Sequence, residues 1–219
     1  MPEFSTNCRR CRRLARFLDK VRVAHPDYHA CPVAPFGAAR PRLLIVGLAP
    51  GMHGANRTGR PFTGDFAGVL LYDTLYRYGF ANRPVSTDAV DGLKLKDCRI
   101  TNAVKCLPPA NRPLLDEVRR CNDYLTTEIH ALPEGTAILA LGLIAHDAIL
   151  MALSLKRSAH RFRHGAQHPL PRGMVLYDSY HCSRYNTQTR RLTPDMFRSV
   201  FDEIRKELAR LRQRPLRVR

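Results

Sequence analysis

Four short runs of branched aliphatic residues limit what this chain can fold into. They are RLLIVG (42–47), RITNAV (99–104), TAILAL (136–141) and MVLYDS (174–179). Each is the length of one strand, and the first and third are apolar at consecutive positions, so both faces of those strands must be covered. That pattern belongs to a buried parallel sheet. The segments between the runs are long enough for crossovers and carry helical periodicity. Phe66, Val69, Leu70 and Leu75 mark a helix over 65–78, and Pro113 opens one over 113–130, where its missing N–H costs nothing. A further helix follows Gly142 to about Leu155, and a long basic one spans 193–212 with Thr193 as cap and Pro194 as first residue. A short basic helix is expected in residues 1–20, with Leu14, Phe17 and Leu18 on one face. The expected fold is therefore α/β: three α/β/α layers around a central, mostly parallel four-stranded sheet, in a single domain spanning 1–219.

Charge narrows the partner. The 36 Lys and Arg against 19 Asp and Glu give a formal +17 over 219 residues, a balance that suits a polyanion such as nucleic acid, whose counterions are released when phosphates are neutralised. The basic tail RQRPLRVR (212–219) is expected to add a loose phosphate contact. No run of about 20 apolar residues is present to span a membrane, and MPEFSTNCRRCRRL lacks the apolar stretch of a signal peptide. A cytoplasmic monomer is expected. Seven cysteines in such a chain point to metal ligation before disulfides. Cys8 and Cys11 form a CxxC pair, and Cys106 and Cys121 are separated by fourteen residues. Four thiolates in two pairs can hold zinc or an iron–sulfur cluster, and spacing alone does not separate the two. Cys31, Cys98 and Cys182 have no such pairing and are read as non-ligands.

In doubly wound sheets the site lies beyond the carboxyl ends of the strands. Three segments are singled out: GLAPGMHGANRTGRPFTGD (47–65), TNAVKCLPPANRP (101–113) and HCSRYNTQTRRLTP (181–194). These three motifs, in this order, resemble the type-5 uracil-DNA glycosylases, the broad-specificity iron–sulfur branch of the uracil-DNA glycosylase superfamily, and the resemblance runs along nearly the whole chain. It implies a [4Fe–4S] cluster on Cys8, Cys11, Cys106 and Cys121, and DNA as the partner.

A glycosylase must extrude its target nucleotide from the duplex into a pocket. The resemblance makes Phe62 the stacking surface, with the Asn102 amide reading the base's polar edge and His181 donating to the base. Ala49 and Gly51 complete the base pocket. Asp65 stabilises charge near the sugar or positions water, or caps the following helix. Gly51 and Gly54 are expected to let DNA approach closely, with His53, Gly54, Asn56 and Arg57 contacting phosphate or sugar. Ser183, Arg184, Tyr185 and Asn186 are expected to enter the minor groove, Arg184 or Tyr185 filling the gap left by the base. Two positions depart from the pattern of relatives. Leu48 stands where related families carry an acid or amide that orients water, and Cys182 stands where Pro usually follows the histidine. Without a strong water activator, the expected activity relies on leaving-group stabilisation and accepts uracil first, then hypoxanthine and xanthine; with no Schiff-base lysine in the motifs apart from Lys105, it is expected to be monofunctional. Lys105 is the only lysine in the three motifs. Rival readings are a type-4-like uracil-specific enzyme, a non-catalytic iron–sulfur DNA-binding protein and a zinc-ribbon nucleic-acid module.

Overall fold

The computed structural model describes residues 4–212; the expected phosphate contact of the tail lies almost wholly outside them. Six strands form one sheet: β1 (Phe36–Gly37), β2 (Leu43–Gly47), β3 (Cys98–Asn102), β4 (Ala137–Leu141), β5 (Gln167–Pro169) and β6 (Val175–Ser179), in the order β1-β3-β2-β4-β6-β5. The inner four, β3-β2-β4-β6, are parallel and correspond to the four aliphatic runs. The four-stranded expectation is corrected at the edges, where β1 and β5 pair antiparallel with β3 and β6. Strands of two and three residues carry no periodicity to read, and Pro169 removes a ladder donor that only an edge tolerates. Gly37 is required at the other edge: its φ is +121°, and a Cβ there would meet the Cys98 carbonyl at 2.3 Å.

The helices are α1 (Arg12–Ala24), α2 (Ala55–Thr58), α3 (Phe66–Arg77), α4 (Leu115–His130), α5 (Leu143–Ala152), α6 (Arg184–Gln188) and α7 (Pro194–Arg212). Alternate residues of one strand serve the two faces of the sheet. Leu44 and Val46 of β2 pack with Ile138 and Ala140 of β4 against α1, α4 and α5, through Leu14, Leu18, Val118, Leu125 and Ile149. Leu43 and Ile45 pack with Leu139, Leu141 and Tyr177 against α3 and α7, through Leu71, Leu75, Phe197, Phe201 and Ile204. The result is the expected three-layer α/β/α arrangement. Among the described residues no helix is long and apolar enough to cross a membrane.

Among the parallel strands the chain starts at β2, moves to β3 on one side, then crosses to β4 and β6 on the other. The connections therefore diverge from β2, and such a switch point opens a crevice at the carboxyl ends of the strands. The loop after β2, the end of β3 and the loop after β6 meet there.

Candidate active site

Register places the first pair of residues. Gly47, the last residue of β2, is opposite Asn102, the last of β3. A Cβ on Gly47 would lie 2.5 Å from Asn102 Oδ1 and 2.7 Å from Phe62 Cζ, so the glycine makes room for the amide and the ring to meet over the strand end. The Phe62 ring in turn stacks with His181, the centroids 5.9 Å apart and the planes at 28°. Phe62, Asn102 and His181 thus converge from three separate loops.

Phe62 has φ +58°, which costs a non-glycine residue roughly 1–2 kcal/mol. Burying its ring returns about 1.5–3 kcal/mol, and the loop is braced besides. Arg60 Nη1 bonds Asp91 Oδ1 at 2.7 Å with both side chains buried, and also donates to Ser86 Oγ at 3.2 Å. Burial alone would raise the Asp91 carboxyl, but Arg60 and the Leu93 and Thr87 amides outweigh it and hold the group well below the ordinary carboxylate range. Tyr72 Oη donates to the Pro61 carbonyl at 2.7 Å. Gly68 of α3 is pressed against the Phe62 carbonyl, which a Cβ would meet at 1.9 Å. Sequence reading missed Arg60, because its partner Asp91 is thirty-one residues away in a segment with no motif.

Asp65 precedes α3, yet its side chain makes no cap bond to that helix. Oδ2 instead accepts from the Ala55 amide at 3.2 Å. Burial raises its carboxyl, opposed by the Ala55 N–H and by Arg57. The space left by two glycines is taken by this carboxylate: a Cβ on Gly54 would lie 1.9 Å from Asp65 Oδ1, and one on Gly51 2.6 Å from it. This revises the expectation that Gly51 and Gly54 serve the approach of DNA. Burial also lowers His181, to about 4, so the imidazole is neutral at neutral pH, and neither ring nitrogen bonds another described residue.

An open cavity of about 380 Å³ adjoins these groups, lined by Ala49, Gly51, Asp65, Asn111, His181 and Arg184 among others. Phe62 and Asn102, only 6% and 3% exposed, are deeper and do not line it. His181 joins the two parts, lining the cavity while stacking on Phe62.

The outer residues divide. His53 is exposed, with Nδ1 2.8 Å from the Tyr28 hydroxyl, and half-buried Arg57 donates Nε to the His53 carbonyl at 2.8 Å. Asn56 corrects an expectation: at 0% exposure it cannot touch a phosphate, and its buried amide has no hydrogen-bond partner among the described residues. Ser183 caps α6, accepting from the Asn186 amide. Arg184 lies over the Phe66 ring at 5.0 Å, and Tyr185 is 69% exposed. The Asn186 Nδ2 donates to the His181 carbonyl at 2.8 Å, so this donor is committed within the loop. Cys182 is wholly buried in the core beneath α3 and α7, which anchors the loop where relatives were expected to use proline. Lys105, the lysine of the second motif, is buried and bonded to Thr101 and to Glu128 Oε1, the latter at 2.5 Å.

Cys8, Cys11, Cys106 and Cys121 line one cavity between the start of α1, the segment after β3 and α4. Burial and the neighbouring thiols and Glu117 push Cys11 up to about 11. The Lys105 amide donates to Cys121 Sγ and the Tyr124 hydroxyl to Cys8 Sγ, each at 3.3 Å. Cys98 is buried at the start of β3 and Cys31 lies beside Arg22, which donates to its Sγ at 3.3 Å.

The geometry agrees with comparison to known proteins. The model of the uracil DNA glycosylase superfamily matches residues 34–205. A type-5 uracil-DNA glycosylase of Thermus thermophilus is 46% identical, over 92% of this chain and 94% of that protein. One of Mycobacterium bovis is 44% identical, over 91% and 77%, and one of Pyrobaculum aerophilum 40% identical, over 89% and 86%. With a family match over most of its length and relatives this similar from end to end, the chain belongs to the uracil DNA glycosylase superfamily and is a DNA glycosylase of the type-5 branch.

Proposed function

We propose that this chain excises uracil from DNA, and hypoxanthine and xanthine less readily, by monofunctional hydrolysis of the N-glycosidic bond. The observation that carries the reading is the meeting of Phe62, Asn102 and His181 over Gly47. Phe62 offers the face on which an extruded base stacks, and Asn102 offers one donor and one acceptor to its edge. A neutral His181 retains an N–H to donate to a base oxygen as negative charge develops there, without an unpaired positive charge of its own. Asp65 brings a carboxylate to the cavity wall, where it stabilises positive charge on the sugar or holds the attacking water. Leu48, also in that wall, offers no polar atom for the task. Strand nicking through a lysine Schiff base finds no support, since Lys105 is held in its buried pair with Glu128. The proposed partner is duplex DNA, in keeping with the formal charge of +17. The test is an excision assay on single-lesion oligonucleotides. Abasic product is expected from uracil first, with no nick before alkali; absence of product from all three bases overturns the reading.

We infer also that Cys8, Cys11, Cys106 and Cys121 hold a [4Fe–4S] cluster. All four cysteines line one cavity, as the ligands of a single polynuclear group must. The two hydrogen bonds to sulfur favour ionised ligands. When bound, the cluster would tie the start of α1 to the segment after β3 and to α4, and would supply no group to bond cleavage. Visible absorption with about four iron atoms per chain is expected from protein purified without oxygen. Colourless protein containing one zinc overturns it.

A further inference from the structure

His181 is proposed as the donor to the base, yet beyond its stacking on Phe62 neither ring nitrogen bonds another described residue, so its direction is set largely through its backbone. On the C-terminal side the handle is Asn186, donating to the His181 carbonyl. On the N-terminal side the backbone N–H of the preceding residue, Tyr180, donates to Nδ1 of His164 at 3.2 Å. The His164 and Tyr180 rings stack, centroids 5.1 Å apart and planes at 21°. Ser179 Oγ, 3.5 Å from the same nitrogen, gives its own proton to the Tyr180 carbonyl at 2.9 Å.

A nitrogen that accepts from a peptide N–H must carry a lone pair. At Nδ1 this is true only of neutral imidazole protonated at Nε2; an imidazolium would turn an N–H toward an N–H. We propose that His164 is a positioning residue for base excision: its neutral ring, accepting the Tyr180 amide, holds His181 in the base pocket, and protonation of His164 releases it. This rests on the reading of His181 as the donor to the base.

The surroundings favour the neutral form. The ring faces Ser179 and Tyr180 at the exit of β6 and makes a hydrogen bond to the Met196 backbone at the start of α7; Arg191 lies over the Tyr180 ring at 4.7 Å. Asp178, the nearest acid on β6, has both oxygens engaged elsewhere, by His146 Nδ1 at 2.7 Å and His168 Nε2 at 3.0 Å. Burial lowers His164, and the Met196 bond opposes this only in part.

The test compares His164→Asn, which returns an oxygen acceptor at the same distance from the backbone but cannot titrate, with His164→Phe, which keeps the stacked ring and loses the acceptor. Single-turnover excision of uracil is followed from about pH 5 to about pH 8, with the Tm of each variant as a folding control and His181→Ala as a reference. His164→Asn is expected to excise within about threefold of the parent at neutral pH, with its acid limb moved to lower pH. His164→Phe, folded, is expected to lose at least about tenfold at every pH, because a misplaced donor is lost from the transition state. An unchanged acid limb in His164→Asn, or full activity in His164→Phe, overturns the proposal while leaving an inactive His181→Ala to support the site reading. A fully active His181→Ala overturns both.

Discussion

The two walls of the active site are stiffened by opposite means. The wall from 47 to 65 is fixed from inside: Asp65 fills the space left by two glycines, Phe62 is buried in a left-handed turn, and Arg60 reaches back to a buried carboxylate. The wall from 180 to 186 is fixed at its ends, by His164 on one side and by Asn186 with buried Cys182 on the other, while Arg184 and Tyr185 face solvent. A wall that meets the reacting bond must not move, so its groups are packed to the density of a core. A wall proposed to meet duplex DNA must present some side chains that are not already spent, and here those are the exposed Arg184 and Tyr185.

The largest effect should come from Arg60→Met, which leaves Asp91 buried without its partner; a loss of about 3–5 kcal/mol in urea unfolding is expected. A loss under about 1 kcal/mol would mean the first wall is no stiffer than the second. Gly54→Ala pushes a methyl into the Asp65 carboxylate and is expected to lower single-turnover excision roughly a hundredfold, since misplacement by about 1 Å has that cost. Wild-type rates would show that Asp65 is free to relocate. On the second wall, Arg184→Ala combined with Tyr185→Ala should weaken excision from duplex about tenfold, the scale of one lost stacking contact, and hardly affect single strands. Equal losses on both would remove the wedge role.

The smallest effect is a shallow dependence of Tm on pH, and it separates two histidines beside β6. Burial lowers His164, so its neutral form contributes stability present above the ordinary value of 6.5 and lost as pH falls through the folded value. For His146 burial works toward lowering, but the bond to Asp178 outweighs it and the group is raised. Its contribution is complete below 6.5 and is lost as pH rises through the folded value. His164→Asn should flatten the acid side of the curve and His146→Gln the alkaline side. The opposite assignment in a calorimetric pH series would break the distinction.

Much of this was legible beforehand in particular residues. The four aliphatic runs named the inner strands because strands buried on both faces leave an unambiguous pattern. The three loops were found because strand ends in such a sheet are where a site opens. Asn56 misled: it lies in the motif but points inward, and a motif says which residues travel together, not which way they face. Gly51 and Gly54 were read as room for DNA to approach, whereas the space beside them is taken by the Asp65 carboxylate of the same chain.

The sequence by itself determined the layers, the strand-end location of the site and the family, because these depend on local periodicity and on residues close together along the chain. Only the tertiary structure decided that Arg60 belongs to Asp91, that Asp65 turns away from its own helix, and that the Tyr180 N–H donates to His164. Each of those is a contact across ten or more residues, set by how the layers close on one another, and neither spacing nor composition encodes which distant partner a buried polar group will find.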